Sequence, residues 1–164
     1  IMINIGVIGT GNVGLVQGVI MAEFGMNVIC MDVIPEKIEK LQKGILPIYE
    51  PGLKELLDKN VNARRLHFST DIKETVEKSN VIFIAVGTPA QDDGSCDLSY
   101  VKAVAGCIGT HLNDYKVIVD KSTVPVGTGK QVRQIIQAEL DRRGELCPAA
   151  ETWILPAMSS LLNG

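Results

Sequence analysis

The sequence predicts an α/β domain built on an open, doubly wound parallel sheet. Three observations predict it. The core-forming residues are mostly β-branched aliphatics, 17 Val and 18 Ile against 7 aromatics, and such residues suit strands buried on both faces. Short aliphatic runs alternate with longer amphipathic segments about five times, the order expected of successive βα units. The glycine and proline turns that follow these runs fall together at the carboxyl edge of such a sheet, where ligands bind near the reversal in strand order. The 164 residues, 46% of them hydrophobic, suffice for one domain that buries roughly 70% of its unfolded surface without staples.

The elements follow in order. Ile3 to Ile8 reads as a strand that opens through a glycine turn onto a helix over Asn12 to Gly25. Asn27 to Met31 is a second strand ending at Asp32, and Pro35 sits where a first helical turn accepts proline, ahead of a charged helix over Glu36 to Lys43 that Gly44 stops. The prolines of Ile45 to Gly52 make an ordered loop before a short helix over Leu53 to Asn60. Leu66 to Phe68 is a brief strand, and Asp71 caps a helix that runs to Ser79. Val81 to Val86 is the most hydrophobic strand, followed by a polar loop over Gly87 to Ser99 and a helix over Leu98 to Leu112. Lys116 to Asp120 is a further strand, and after a Ser-Thr-Val-Pro-Val-Gly turn a long helix covers Thr128 to Arg143 and ends at Gly144. Residues 1–144 thus form the domain, and 145–164 a divergent tail that either adds a sixth strand through Thr152 to Leu155 or stays loose.

The charge balance, 16 Lys and Arg against 19 Asp and Glu, supplies no basic footprint, so nucleic acid and anionic membranes are not expected partners. No run approaches the roughly 18 consecutive apolar residues of a membrane span, and the start lacks the pattern of a secretory signal. The expected location is the cytoplasm, where Cys30, Cys96, Cys107 and Cys147 stay reduced. Without CxxC spacing, and with His67 and His111 remote from the cysteines, no metal site is expected. Asp92, Asp93 and Asp97 lack the spacing of a calcium loop and read as a solvated turn.

Chemistry concentrates in Gly9-Thr10-Gly11-Asn12-Val13-Gly14, a G-x-G-x-x-G that closes a strand and opens a helix. Gly9 permits the tight turn, Gly11 removes a side chain that would block a pyrophosphate, and Gly14 lets helix and strand pack closely. The free amides around Asn12 and Val13, at the positive end of the helix, would hold the phosphates of a dinucleotide. Asp32 ends the second strand, where its carboxylate can accept both adenosine ribose hydroxyls and repel a 2′-phosphate, which favours NAD over NADP. Lys37 could lie beside the same ribose. The loops Gly87-Thr88-Pro89 and Ser122 to Thr128 fall on the same edge, with prolines that hold Thr88 and Thr123 in place.

At these residues the chain resembles the UDP-glucose/GDP-mannose dehydrogenase family in its Rossmann-like NAD-binding domain. The resemblance rests on GTGNVGL at Gly9 to Leu15, NVICMDV at Asn27 to Val33, LPIYEPGL at Leu46 to Leu53, AVGTP at Ala85 to Pro89, DGSCDLSYV at Asp93 to Val101 and KSTVPVGTG at Lys121 to Gly129. It implies oxidation of the C6 alcohol of a nucleotide sugar, UDP-glucose foremost, to a carboxylate with two NAD molecules, in nucleotide-sugar metabolism that feeds polysaccharide biosynthesis. It further implies that Gly9, Gly11, Asn12, Val13, Gly14, Asp32, Lys37, Thr88, Ser122 and Thr123 line the cofactor site, that Thr123 also lies at the reacting centre, and that the full-length enzyme is a homodimer. Asn12 replaces the tyrosine usual in the family's glycine motif, a small change if its backbone amide makes the contact.

The tail departs from the family's Asn-Pro-Glu-Phe-Leu segment, Pro156 and Ala157 being the nearest echo. The resemblance therefore implies a domain lacking the family's later domains, its catalytic cysteine, and the glutamate, lysine and asparagine that assist it. Such a chain is expected to bind NAD and not to turn over alone. A non-catalytic nucleotide-binding or assembly module is the alternative, while LPIYEPGL and STVPVGT argue against a small hydroxyacid dehydrogenase of the same fold.

Overall fold

Strands β1 (Asn4–Ile8), β2 (Asn27–Met31), β3 (Leu66–Ser69), β4 (Val81–Ile84), β5 (Val117–Asp120) and β6 (Glu151–Ile154) pair in parallel, in the order β3-β2-β1-β4-β5-β6. The computed structural model describes residues 2–144 and the backbone of 151–154. Chain order runs outward from β1 to one edge and from β4 to the other, so the reversal falls between β1 and β4. Cys147, Leu155 and the Pro156-Ala157 pair lie outside the described residues.

The alternation of side chains along each strand feeds two cores. Ile5 and Val7 of β1, Val28 and Cys30 of β2, Phe83 of β4 and Val119 of β5 pack on one face beneath helices α1 (Asn12–Glu23), α2 (Pro35–Gln42) and α3 (Leu53–Asn62). Ile8, Met31, Ile82, Ile84 and Ile118 pack on the other, against α4 (Ile72–Lys78), α5 (Ser99–His111) and α6 (Thr128–Arg143). Burial on both faces is why these strands read as continuous aliphatic runs.

Helix ends obey local chemistry. Pro35 opens α2, and the Asp71 carboxylate accepts the Glu74 amide at 3.1 Å to cap α4. Gly44 ends α2 in the left-handed conformation at φ 73°, with Ile45 N donating to Lys40 O at 2.8 Å. Helix α3 runs past the expected Asn60 to Asn62, because Arg64 takes the left-handed position at φ 58° usually given to glycine. β4 stops at Ile84, short of the expected Val86; Ala85 N still donates to Ile8 O of β1 at 2.8 Å, and Ala85 and Val86 line the clefts described below.

A buried polar knot joins α1, α3 and the entry to β3. Asn60 is fully buried and donates through Nδ2 to Glu23 Oε2 and Leu56 O, both at 2.8 Å. Its Oδ1 accepts Arg65 Nε at 3.1 Å and Nη2 at 2.9 Å, and Arg65 Nε also donates to Ala22 O. Asn60 itself is closed to water, whereas Glu23 and Arg65 are half-exposed. Asn60→Leu therefore removes four hydrogen bonds at one buried position and is expected to destabilise the domain by about 2–3 kcal/mol in urea unfolding. A loss under about 0.5 kcal/mol would show that the knot contributes little beyond an ordinary surface contact.

Candidate functional site

The site is assembled at the carboxyl ends of β1, β2, β4 and β5. Gly9 leaves β1 at φ 106°, and a Cβ there would stand 2.4 Å from Ala85 O. A Cβ on Gly14 would stand 1.9 Å from Gly9 O. Only glycine permits this approach of the helix to the turn and to β4. Gly11 differs: it caps α1 with φ −69°, and a Cβ there would meet no protein atom within 4 Å. Its missing side chain leaves open space in front of the helix, not packed protein.

No side chain caps the α1 N-terminus, and its first turn carries no acidic residue. The positive end of the helix therefore faces that open space uncompensated, as an anion-binding terminus does. Val13 in this turn is 54% exposed.

Asp32 stands beside the turn and is 8% exposed. Its Oδ2 accepts Thr10 N at 3.0 Å and Thr10 Oγ1 at 2.8 Å, with Lys37 Nζ at 3.5 Å, and its Oδ1 accepts Ile34 N at 3.1 Å. Burial alone would raise its pKa, but the Thr10 and Ile34 hydrogen bonds and the Lys37 charge together hold it below the ordinary carboxylate value. The group is thus an ionised acceptor, and Oδ1 retains a lone pair for a further donor.

Three clefts adjoin the glycine turn, one of them, of about 410 Å³, running along α1 between Val13, Val16, Ile20, Glu50 and Lys121. A polar one of about 250 Å³ is lined by Gly11, Asn12, Val13, Gly87, Thr88, Lys121, Ser122 and Thr123. An apolar slot of about 210 Å³ lies between Gly9, Asp32 and Val33 on one side and Ile72, Val86, Tyr100, Val104 and Cys107 on the other. The loops that bound the polar cleft are tied together: Thr88 Oγ1 donates to Thr123 O at 2.8 Å, and Ser122 Oγ donates to Val86 O at 2.9 Å. A larger cavity, about 660 Å³, opens elsewhere, across the face of β2 and β3 beside α4, and has no glycine turn.

The structure brings Gly9, Gly11, Asn12, Val13, Gly14, Asp32, Lys37, Thr88, Ser122 and Thr123 to one edge. The Thr88 and Ser122 hydroxyls spend their protons on loop-to-loop bonds, so toward a ligand they remain acceptors. Sequence reasoning missed Thr10, 1% exposed, which orients Asp32. It also missed the apolar slot and Asp120, a fully buried carboxyl at the end of β5. A threonine inside the glycine motif was a readable signal for the first. These slot residues lie on α4, α5 and three loops, and nothing in the sequence joins them.

Other candidates are structural. Cys30 is buried among α1 and β2 side chains, and burial pushes its thiol up to about 12. The Asp93 and Asp97 carboxylates accept the Ser95 and Ser99 amides within their own turns. Among the described residues no cluster of His, Cys, Asp or Glu is arranged to hold a metal, and no helix is long and apolar enough to cross a membrane.

A parallel sheet with this strand order, an uncapped glycine turn at its switch point and a carboxylate ending β2 define a dinucleotide-binding domain of the dehydrogenase type. The residues fit NAD: the space before Gly11 admits a pyrophosphate, Asp32 can take a ribose hydroxyl, and the slot beside it is apolar enough for a base. The chain matches the NAD binding domain of the UDP-glucose/GDP-mannose dehydrogenase family over residues 3–151, and it belongs to that family. It is 57% identical over 136 residues to UDP-glucose 6-dehydrogenase TuaD of Bacillus subtilis, covering 83% of this chain and 30% of that protein. It is 47% identical over 162 residues to a UDP-glucose 6-dehydrogenase of Rhizobium meliloti, covering 98% of this chain and 36% of that protein. The structure of a UDP-glucose dehydrogenase from Pyrobaculum islandicum superposes with a TM-score of 0.83 at 36% identity, over 94% of this chain and 35% of that one. The chain therefore spans about a third of the length of these relatives.

Proposed function

We propose that this chain supplies the NAD site for oxidation of a nucleotide sugar, UDP-glucose, at its C6 hydroxyl, as a UDP-glucose 6-dehydrogenase does. The observation that carries the reading is the pair of clefts on either side of an uncapped glycine turn, with Asp32 between turn and slot. The adenine enters the apolar slot, Asp32 takes the adenosine ribose with Lys37 beside it, and the amides of Asn12 and Val13 take the pyrophosphate. The nicotinamide half lies in the polar cleft among Thr88, Ser122 and Thr123. A cofactor held by these residues would supply the hydride acceptor for the sugar carbon. Thr123, exposed and held by Thr88 through its backbone, positions water and polar groups at the reacting carbon. Both partners are soluble metabolites, which supports a cytoplasmic setting.

Cys107 reports on this placement because it lines the slot, whereas Cys96 does not. NAD at ten times its Kd is expected to slow alkylation of Cys107 by about tenfold, from simple site occupancy, with Cys96 unaffected, as read by peptide mass mapping. An unchanged Cys107 rate under saturating NAD would place the adenine elsewhere. For the substrate, this chain is mixed with the separately produced remainder of a relative. UDP-glucose-dependent NADH formation is the expected result, and NAD binding without any turnover would favour the non-catalytic module.

A further inference from the structure

Asp120 ends β5 at the site's edge, and neither composition nor motif accounts for it. The residue is fully buried, its Oδ1 accepts Ser122 N at 3.0 Å, and its Oδ2 has no hydrogen-bond partner among the described residues. Its Cα pairs with Ile84 on β4 and Ile154 on β6. A buried carboxyl oxygen without a partner is costly, and a domain tuned only for stability would place an apolar residue there. Burial pushes its pKa up, against the opposing Ser122 bonds, which is the direction of a neutral acid.

The bond it makes governs a loop. Ser122 N is held by Asp120, Ser122 Oγ by Val86 O at 2.9 Å, and Lys121 N by Ile84 O at 2.8 Å. With Thr88 Oγ1 on Thr123 O, these ties fix the segment that walls the polar cleft. Asp120 itself lines none of the three clefts. It reaches the cleft only through Ser122.

We propose that Asp120 is a positioning residue for the nicotinamide half of the cofactor, acting through the Ser122 amide to set the Ser122–Thr123 wall of the polar cleft. This rests on the cofactor placement given under Proposed function. The adenosine half, at Asp32 and the slot, is outside its reach, so the residue should alter affinity for NAD and leave affinity for ADP alone. A residue serving only global stability would move both or neither.

The test titrates NAD and ADP separately into the wild-type chain, Asp120→Val and Asp120→Asn, with thermal melts of each. Asp120→Val is expected to weaken NAD about tenfold, the size of one lost hydrogen bond, with ADP within about twofold, inside the usual scatter of such contributions. Asp120→Asn keeps a neutral acceptor for Ser122 N and is expected to restore NAD affinity. If Asp120→Val fails to fold, Ser122→Ala, which removes the tie to Val86, should show the same split to a smaller degree. Equal weakening of NAD and ADP, no change in either, or failure of Asn to rescue overturns the inference. Failure of the cofactor placement looks different: wild type would then bind ADP and NAD with the same affinity, or bind neither.

Discussion

Gly14→Ala is expected to cost the domain about 3–5 kcal/mol and to abolish cofactor binding with it, more than ordinary overpacking costs. The added methyl would stand 1.9 Å from Gly9 O and 3.1 Å from Ala85 Cβ. The nearer obstacle is backbone, so no side-chain rotation relieves it. To make room, α1 must lift from β1, and Leu15 and Val19, both fully buried, lift with it. A typical domain has only about 5–15 kcal/mol to lose, so urea unfolding should show a large shift in midpoint. A midpoint within experimental error of wild type would mean that the turn can open without disturbing the core.

Asp32→Asn is expected to weaken NAD by about 10–100-fold, the range for a hydrogen bond to a charged group. Every group around the Asp32 carboxylate is a donor or a cation: Thr10 N, Thr10 Oγ1, Ile34 N and Lys37 Nζ. Whichever way an asparagine amide is turned, its NH2 meets the donors of either Thr10 or Ile34. The variant also removes the charge that repels a 2′-phosphate, so discrimination against NADP should relax. Because the folded-state pKa of Asp32 is lowered, its contribution to stability is fully present above the unfolded value of about 3.9 and is lost as pH falls through the folded value. The stability gap between wild type and Asp32→Asn should therefore narrow in that acid range and be constant above it. A gap that persists at the lowest pH would assign the effect to packing, not charge.

The contrast between those two residues shows what was legible in the chain. The glycine turn could be read because its chemistry is local: strand, three spaced glycines and helix are contiguous, and each glycine answers a steric demand within a few residues. Asp32 could be read from its place at the end of β2. Its partner Thr10 and the depth of its burial could not, since they depend on β1 and β2 pairing side by side. The end of β4 was misread for a related reason. Ala85 and Val86 continue the apolar run of Val81–Ile84 and pack partly against the two cores while lining clefts, and hydrophobicity alone does not separate a strand from a cleft wall. Arg64 hid the end of α3 because it does glycine's work without being glycine. The slot and Asp120 are tertiary features, formed by elements far apart in sequence.

If the space before Gly11 holds the pyrophosphate of NAD, filling that space must abolish binding without disturbing the fold. Gly11→Val tests it most directly, because the position has an ordinary φ of −69° and no protein atom within 4 Å of a Cβ. The measurement is a calorimetric titration of NAD into wild type and Gly11→Val, with a thermal melt of each chain. Wild type is expected to bind, and the variant to melt at the same temperature and give no binding heat. NAD binding by Gly11→Val with unchanged affinity, or no binding by wild type, would contradict it.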